Sequence, residues 1–338
     1  MVLTPCDTLW GHARTIERDP TIAEYADCLY VPFQANESWG VFDASGRILE
    51  GTVDWRTAER HTNQQIPHLH LDGDAVRTAA PEPAYVYGGR INLHFGHFLI
   101  NTLSRFWPLL ARRRDRLKFL CHDTNVPAAW FAHPFASRIF GALGLTPEDF
   151  VTFDAPTRIE RLIVPHTSVA EQFYAHRVFG LLCRRLGVAI AGDMGDASDR
   201  APIYLSKTRL AHGVSRFVNE QALADRLAER GVEIVHPETL DLADQIRLFA
   251  GRRTVLGCAG SAFHTSIFAP PRGRARVLLY TPHINSNFVL LDRLSGLDVQ
   301  YLYAEGSEIV PNPGGSPFLT EVSLRDPVET ADALLATA

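Results

Sequence analysis

The feature that most restricts the fold is the alternation of strand-like and helix-like segments in the second half of the chain. Short apolar runs predict strands, and the amphipathic stretches between them predict helices, one of which is capped by Asn219 and followed by Gly231. Strands are predicted at 203–205, 232–235, 254–257, 276–280 and 299–302, and helices at 219–230, 241–250, 261–268 and 288–294. This order favours a parallel sheet covered on both faces, so we predict a doubly wound α/β domain.

The first half of the chain begins β-rich and then shows a similar alternation. Residues 39–53 predict a strand, a turn at 44–46 and a second strand, whereas residues 61–83 are rich in His, Asp and Pro and predict a loop. Further strands are predicted at 84–87, 118–121, 151–153 and 161–164, and helices from about Gly96, at 134–143 and at 171–186 with Gly187 at its end. A second α/β domain is therefore expected.

A small, acidic, turn-forming segment at 191–202 predicts the boundary between these halves. We therefore expect an N-terminal α/β domain at 1–195 and a second, Rossmann-like domain at 196–310. The Pro- and Gly-rich loop at 311–317 predicts that the tail, 311–338, crosses back to the N-terminal domain with a last short helix.

Composition excludes several classes of protein. The 338 residues carry a net charge of −5, which argues against a nucleic-acid-binding role. The five cysteines form no CxxC pair, and His61, His68 and His70 are too loosely spaced to predict a metal site. Neither a signal peptide nor an apolar run of membrane-spanning length is present in the sequence, so we expect a cytoplasmic protein without a membrane span. A homodimer is left open.

The stretch 88–107 predicts a functional site. Gly88 and Gly89 lead into a helix whose apolar face recurs at three- and four-residue steps: Leu99, Leu103, Phe106, Trp107 and Leu110. Its polar flank carries His97, Asn101, Ser104 and Arg105, with His94 and Asn92 just before it. A single histidine would be explained by capping and packing, but such a cluster beside a glycine loop favours a site.

A second group of polar residues follows the predicted strands of the second half. Ligands of open α/β sheets bind at the carboxyl ends of the strands, where this chain has Ser206, Lys207, Arg209, Arg216, Glu238, Gly260 and Ser261. Arg and Lys suit phosphate oxygens, Gly260 and Ser261 offer backbone N–H groups, and Glu238 can accept hydrogen bonds from sugar hydroxyls. Each residue alone has an ordinary structural explanation, but together they predict a nucleotide diphosphate pocket. Neither a Walker A nor a GxGxxG motif is present, so an NTPase or dinucleotide enzyme is not indicated.

Several motifs, in order over roughly residues 84–270, resemble glycosyltransferase family 61. Residues 92–107 are similar to the family stretch N-x-G-H-F-L-x-D-x-L-x-R-x-W. Further similar segments are 204–209, 216–220, 236–238, 244–250 and, for the G-x-H-G-A-G-L box, 257–262. The chain departs from the family pattern in three places. Asn101 replaces the aspartate, Cys258 replaces the box histidine unless His264 takes its role, and Ser206-Lys207 replaces Ser-Arg.

The resemblance implies a GT-B-like α/β architecture of two Rossmann-like domains facing a cleft, with the β-rich segment at the N-terminus. It makes 1–195 the acceptor-side domain and 196–310 the nucleotide-sugar-binding domain. It implies an inverting glycosyltransferase that moves a hexosyl or pentosyl group from a UDP-sugar to a saccharide acceptor, as in bacterial capsule and surface polysaccharide biosynthesis. His97 would be the base, with His94 as second choice and Asn101 as partner, and Asn92 and Arg105 would bind substrate. The nucleotide would be bound by Ser206, Lys207, Arg209, Arg216, Glu238, Gly260, Ser261 and His264. No cofactor is required by this resemblance, and a divalent metal is possible but not signalled.

Two alternatives remain at this stage. A nucleotide-sugar epimerase of the same architecture would form product without an acceptor. A degenerate, non-catalytic module would bind a sugar nucleotide without turnover, and Asn101 and Cys258 favour it. Product analysis without acceptor tests the first, and a turnover assay beside a binding assay tests the second.

Overall fold

The protein is described by a computed structural model that covers residues 2–35, 37–57, 60–61, 65–69, 78–111, 118–194, 201–210, 213–271, 273–312 and 319–336. The chain divides into two compact units. His12–Leu182 form one, here the N-terminal unit, and Met1–Gly11 with Cys183–Ala338 form the other, the C-terminal unit.

The C-terminal unit is built on a six-stranded sheet. In spatial order its strands are Leu3–Pro5, Asp298–Ala304, Arg274–Leu279, Thr254–Cys258, Ile203–Leu205 and Glu233–Val235. All neighbours pair in parallel except Leu3–Pro5, which is antiparallel. The parallel sheet predicted from the alternating pattern is therefore confirmed.

Helical segments lie on both faces of this sheet. They are Glu220–Glu229, Pro237–Thr239, Leu242–Gly251, the 3-10 stretch Ser261–Phe268, Ser286–Ser295 and Pro327–Ala336. On one face Leu256 shares a core cluster with Leu223 of the first helix. On the other face a Cβ at Gly257 would lie 3.1 Å from the Phe263 ring. Successive strand residues point to opposite faces, so burial of both Leu256 and Gly257 explains the continuous apolar run at 254–257.

Two smaller sheets complete the C-terminal unit. One contains Ser215–Phe217, Thr320–Ser323 and Glu308–Val310, and the other pairs Thr8–Trp10 with His283–Asn285. The last helix, Pro327–Ala336, packs against Glu220–Glu229, where Arg226 and Asp332 form an ion pair of 2.9 Å. The structure thus differs from the expected return to the N-terminal domain, because buried Ala331 and Leu334 complete the core of the C-terminal unit. Residues 313–318 of the predicted loop lie outside the described residues.

The N-terminal unit contains a seven-stranded mixed sheet. Its strands are Phe150–Val151, Lys118–His122, Tyr85–Arg90, Thr157–Pro165, Ile22–Val31 and Gly40–Phe42, with Thr78–Ala79 paired beside Thr157–Pro165. The pairs up to Thr157–Pro165 are parallel, and Ile22–Val31 then pairs antiparallel. Of the strand-turn-strand predicted at 39–53, the first strand is Gly40–Phe42 and the turn at 44–46 is present, with the Gly46 N–H donating to the Asp43 carbonyl at 3.0 Å. The second strand is replaced by one bridge, from Ile48 to Phe42.

The remaining elements of the N-terminal unit are short. A three-stranded sheet contains Val169–Ala170, Tyr174–His176 and Arg14–Ile16, Trp55–Arg56 pairs with Arg60–His61, and a 3-10 turn lies at Glu50–Thr52. The helices are Pro127–Phe131 and Pro134–Ala142, with a 3-10 turn at Pro147–Asp149. An irregular helical segment, here the 95–110 segment, follows Tyr85–Arg90.

The apolar face predicted for the 95–110 segment is confirmed. Leu99, Leu103 and Phe106 are fully buried, and Trp107 is buried too. Phe106 lies 5.0 Å from the Phe119 ring and 5.6 Å from the Phe140 ring, measured between ring centroids. Burial of each such aromatic or leucine side chain contributes about 1.5–3 kcal/mol to the stability of the fold, so this face fixes the segment to the sheet.

One predicted helix has different limits. Residues 171–186 were expected to form a helix that ends at Gly187, but the helix is Arg177–Ala191. Its start is displaced because Tyr174–His176 pairs with Arg14–Ile16, and this pairing overrides local helix propensity. It continues past Gly187 because that glycine is used for packing, since a Cβ there would lie 1.9 Å from the Phe268 carbonyl oxygen.

The division between the compact units falls inside this helix, between Leu182 and Cys183. The predicted boundary at 191–202 lies further along the chain, and residues 195–200 of it are outside the described residues. The domain limits 1–195 and 196–310 therefore stay a prediction. Within the residues that the structure describes, no helix combines the length and apolar character needed to cross a membrane.

The packing at Gly187 gives a first prediction. Gly187→Ala should lower the free energy of unfolding by about 1–3 kcal/mol, the usual cost of overpacking, because two backbones must separate. The matched control is Gly141→Ala near the end of Pro134–Ala142, where an added Cβ meets no atom within 4 Å. That variant should gain about 0.5–1 kcal/mol from lower chain entropy in the unfolded state. Urea unfolding of both variants checks this, and equal effects would contradict the packing described.

Candidate functional site

The glycines of the predicted loop belong to the end of strand Tyr85–Arg90. Gly89 has a φ of +78°, and a Cβ there would lie 2.8 Å from Cδ of Arg105. A Cβ at Gly88 would lie 2.5 Å from Sγ of Cys121. Both glycines are therefore explained by close packing inside the N-terminal unit, and Gly89 also by its backbone conformation.

The 95–110 segment changes its helical type along its length. Phe95–His97 is α-helical, Phe98–Thr102 is a π-turn, and Leu103–Arg105 and Trp107–Leu110 are 3-10 turns. The Leu103 N–H donates to the Phe98 carbonyl, five residues back. Single π-turns occur frequently at functional sites, and this one follows directly after His97.

His97 and Asn101 form a hydrogen-bonded pair across the π-turn. Nδ1 of His97 lies 3.0 Å from Oδ1 of Asn101. An amide oxygen only accepts, so Nδ1 donates to it, and whenever the ring is neutral Nε2 is the nitrogen with the lone pair. The arrangement therefore presents one defined proton acceptor, which is what a general base requires.

A chain of hydrogen bonds connects the residues just before this pair, and it involves Asn92, His94 and Thr102. Oδ1 of Asn92 accepts from the His94 N–H at 3.0 Å, and the Asn92 N–H donates to Oγ1 of Thr102 at 3.0 Å. The Thr102 hydroxyl donates to the Arg90 carbonyl at 2.8 Å. This chain of bonds ties the strand end to the helical segment, so Asn92 has a structural role whatever it binds.

The ring of His94 lies 5.4 Å from that of His97, between centroids. Burial lowers the pKa of His94, and the neighbouring His97 lowers it further. His94 is therefore biased towards its neutral form. The structure thus brings together His94, His97, Asn92 and Asn101 as the sequence predicted.

Arg105 does not join this group. Its side chain is fully buried, with NH1 donating to the carbonyls of Gly51 at 2.7 Å and Pro165 at 3.2 Å. NH2 donates to the Val53 carbonyl at 3.1 Å and lies 3.4 Å from Oδ1 of Asp54. The expected substrate-binding role therefore differs from what is observed, because the guanidinium is engaged by four acceptors of its own unit.

Asp54 is the buried counter-charge of Arg105. Burial raises the pKa of its carboxyl group, and Arg105 opposes that shift. A buried carboxylate and guanidinium stabilise each other only while both are present. Sequence reasoning missed Asp54, since it lies 51 residues from Arg105 in a segment without a motif.

The second group of predicted residues lies in the C-terminal unit. Leu205 and Gly257 are register partners in adjacent parallel strands, so Ser206 and Cys258 follow at the same edge of the sheet. Ser206 is buried, and its hydroxyl lies 2.9 Å from that of Thr208. Nζ of Lys207 donates to the carbonyls of Ser215, at 3.2 Å, and Ala259.

The other predicted nucleotide ligands have different surroundings. Arg209 is exposed, and its side chain forms no ion pair or hydrogen bond with any part of the chain that the structure describes. Nε of Arg216 donates to Glu321 at 2.7 Å, and the arginine side chain is 47% exposed. Glu238 lies 4.0 Å from Nδ1 of His236.

Gly260 and Ser261 stand at the start of Ser261–Phe268, as predicted. His264 of that stretch is buried, and its ring lies 4.6 Å from that of Phe288, between centroids. Lys207, Arg216 and Ala259 line one small pocket with Ser215, Phe217, Cys258, Leu278 and Tyr280. Neither Arg209, Glu238 nor His264 lines this pocket.

Two further polar groups, Glu220 and Tyr204, support this edge. Neither was predicted as a site residue, although both lie in segments that resemble the family, 216–220 and 204–209. Oε1 of Glu220 accepts from the Lys207 N–H at 2.7 Å and from the Tyr204 hydroxyl at 3.1 Å. The Tyr204 hydroxyl also lies 3.1 Å from Sγ of Cys258, and burial raises the pKa of that thiol. Glu220 stands at a helix start, where an acidic residue is ordinary, so only its burial distinguishes it.

Metal ligands do not cluster in the described residues, where no group of three or more His, Cys, Asp or Glu side chains could hold an ion. His70, one of three histidines considered from the sequence, lies outside those residues, and the side chain of His61 is not described.

Comparison with known proteins gives one family. Residues 95–277 match the family model described as Glycosyltransferase 61. No curated protein matches the sequence of the chain. Among solved structures, the chain is similar to the flavodoxin-like domain of a Synechococcus protein, with 15% identity and a TM-score of 0.26. That match covers 41% of this chain and 100% of that domain. A likeness this weak carries nothing about function.

The buried pair gives a second prediction. Arg105→Met should lower the free energy of unfolding by about 3–5 kcal/mol, because Asp54 and three carbonyls lose their donor in a dry site. Arg105→Met with Asp54→Asn should recover part of that loss, since a neutral amide replaces the unpaired carboxyl group. Arg161→Met, which removes an exposed pair with Glu24, is the control and should change little. Equal losses for Arg105→Met and Arg161→Met in urea unfolding would contradict this role.

A third prediction concerns His122, which is buried and stacks on Tyr30 at 4.3 Å between ring centroids. Burial, helped by Arg105 and Arg90, lowers its pKa from 6.5 to about 3. Below pH 6.5 the unfolded chain therefore binds a proton at His122 that the folded chain does not bind. The free energy of unfolding then falls by about 1.4 kcal/mol for each pH unit that the pH is lowered. His122→Phe should remove the contribution of His122 to the fall in the free energy of unfolding between pH 6.5 and pH 4.

The measurement is urea unfolding of wild type and His122→Phe at pH 7 and pH 4.5. We expect the difference between the two pH values to be smaller in the variant. The same pH dependence in both proteins would show that His122 is protonated in the folded state.

Proposed function

The chain belongs to glycosyltransferase family 61, whose model matches more than half of its length, and from this we propose an inverting transfer from a UDP-sugar to a saccharide acceptor. The family itself implies glycosyltransferase activity with a donor and an acceptor. The transferred group would be a hexosyl or pentosyl unit. The pathway would be bacterial surface polysaccharide synthesis, such as capsule formation, in the cytoplasm.

The observation that carries the proposal is the hydrogen bond between His97 and Asn101. In an inverting transfer the acceptor hydroxyl attacks the anomeric carbon, and the bond from that carbon to the diphosphate oxygen breaks. Nε2 of His97 would take the hydroxyl proton, and the diphosphate would leave with the electron pair. Asn101 would hold the ring in the tautomer that this step needs. His94 is the second choice for the base.

Stabilisation of the leaving diphosphate is proposed for the carboxyl edge of the C-terminal sheet. Arg209 and Arg216 would supply positive charge, and Gly260 and Ser261 would supply backbone N–H groups. Ser206 and His264 would add polar contacts, and Glu238 would accept from sugar hydroxyls. No metal is required in this scheme, because cations and oriented N–H groups stabilise the developing charge.

The GT-B-like arrangement is part of the same proposal. The N-terminal unit carries the His97 pair and would bind the acceptor, and the C-terminal unit carries the cations and would bind the donor. Homodimer formation also remains a proposal, and no contact in the described residues bears on it. The family match favours a transferase over the epimerase.

A second candidate function is binding without turnover. The observation that favours it is the position of Cys258, whose thiol is buried against the Tyr204 hydroxyl where the family has a histidine. Such a module would bind a sugar nucleotide as tightly as an enzyme does. Release of UDP in the presence of acceptor separates the two functions.

The test of the proposal is His97→Ala. The variant should bind UDP nearly as wild type does, because the base would contact the acceptor and not the diphosphate. Its melting temperature should fall little, since the hydrogen bond to Asn101 is only part-buried. Turnover should fall by about 10²–10⁴, the usual contribution of a positioned base. His68→Ala, which changes an exposed histidine of the same unit, is the control and should remain active. A stable, fully active His97→Ala would remove His97 from the mechanism.

Asn101→Asp tests the partner separately. A carboxylate at this position would stabilise the protonated imidazole, so His97 would be lost as a base at a higher pH. The acid limb of the pH–rate profile should therefore move to higher pH. The measurement is turnover from pH 5 to pH 9 in both proteins, and coincident profiles would contradict direct contact between the pair during catalysis.

A further inference from the structure

Lys207 connects three segments at the carboxyl edge of the C-terminal sheet. It follows strand Ile203–Leu205, and its ammonium donates to the carbonyl of Ser215 at 3.2 Å. The same ammonium donates to the carbonyl of Ala259, in the turn after strand Thr254–Cys258. Two of its three N–H groups are thus engaged by backbone carbonyls of two other segments.

The side chain of Lys207 also explains Gly260. A Cβ at Gly260 would lie 2.7 Å from Cε and 3.2 Å from Nζ of Lys207. The φ of Gly260 is −173°, which is extended backbone that any residue adopts, so conformation does not require glycine here. What requires it is the lysine stem, which occupies the space that a side chain would fill.

The backbone of Lys207 is fixed as well as its side chain. Its own N–H donates to Oε1 of Glu220 at 2.7 Å. Burial lowers the pKa of the ammonium, while Cys258 and Glu220 oppose that shift. To move towards a ligand, the ammonium would have to leave the Ala259 and Ser215 carbonyls unpaired, and a lost bond to a charged donor is costly. Its third N–H could therefore contact a phosphate only where the ammonium already stands.

We propose that Lys207 is a positioning residue that holds the Ala259–Gly260 turn, and through it the backbone N–H groups that open Ser261–Phe268, while Arg209 supplies the charge that contacts phosphate. The holding role stands on the contacts of Lys207 alone, and the role in phosphate recognition rests on the proposed function. Arg209 suits the second task because it is exposed and unpaired among the described residues. Arg216, in contrast, is paired with Glu321.

The first test is a stability cycle that needs no ligand. Gly260→Ala should lower the melting temperature of wild type by about 3–8 °C, because a held lysine cannot yield to the new Cβ. In the background Lys207→Ala, which lacks Cε, the same change should cost about 1 °C or less. Lys207→Val, whose side chain ends at Cγ, serves as the background if Lys207→Ala does not fold.

Gly257→Ala is the matched control for this cycle. Its Cβ would lie 2.9 Å from the Leu205 carbonyl oxygen and 3.1 Å from the Phe263 ring, so its nearest neighbours do not belong to Lys207. It should therefore lower the melting temperature equally in both backgrounds. If Gly260→Ala also costs the same in both, or costs nothing in wild type, Lys207 is not held over Gly260 and the proposal is overturned.

The second test measures phosphate recognition by calorimetric titration of UDP and uridine at low and high salt. Arg209→Gln should weaken UDP binding about tenfold or more, leave uridine binding unchanged and reduce the salt dependence. Lys207→Gln should leave the salt dependence of UDP binding as in wild type. A reduced salt dependence in Lys207→Gln would make Lys207 a phosphate ligand and overturn the proposal. If wild type binds neither UDP nor uridine, the proposed function fails, and the stability cycle still decides the holding role of Lys207.

Discussion

The N-terminal unit depends on a buried guanidinium. A cation removed from water costs several kcal/mol unless acceptors surround it. NH1 and NH2 of Arg105 have such acceptors in the carbonyls of Gly51, Val53 and Pro165 and in Asp54, whereas its buried Nε has no hydrogen-bond partner among the described residues. These acceptors come from two segments far apart in sequence. The 95–110 segment, the 50–54 segment and the end of Thr157–Pro165 are therefore fixed to one another by a single side chain, and Gly89 is needed so that this side chain fits.

The irregular geometry of the 95–110 segment is consistent with this constraint. Residues on one regular helix face would place Ser104 and Arg105 beside Asn101, yet Ser104 is fully buried and lies 2.7 Å from the Thr167 hydroxyl. The Ser104 carbonyl accepts from the Ser168 N–H at 2.9 Å. Polar contacts thus hold Ser104 and Arg105 towards the interior of the unit, whereas His97 and Asn101 precede them in the chain. The hydrogen bond of that pair joins His97, just before the π-turn Phe98–Thr102, to Asn101 within it.

The sequence predicted what depends on periodicity and missed what depends on distant partners. The parallel sheet of the C-terminal unit follows from apolar runs buried on both faces, and the packing face of the 95–110 segment follows from its repeat. The helix start predicted at 171 and the helix end predicted at Gly187 are wrong for a common reason, since the helix is Arg177–Ala191. A contact with Phe268 and pairing with Arg14–Ile16 decide those limits, and neither partner is visible locally.

The candidate site shows the same division. His94, His97, Asn92 and Asn101 lie within one local segment, and the structure brings them together. Arg105 and Lys207 were assigned to ligands because cations near a predicted site suit anions, but each is engaged by backbone carbonyls from other segments. Every residue has a backbone carbonyl, so the sequence does not show which one will accept a hydrogen bond. A motif therefore identifies the cationic side chain but not its acceptor. Of the cations at the C-terminal sheet edge, Lys207 is thus engaged by the backbone and Arg216 by Glu321. Arg209 is then left as the cation of this group whose charge no described residue neutralises, which makes it the strongest candidate for a phosphate.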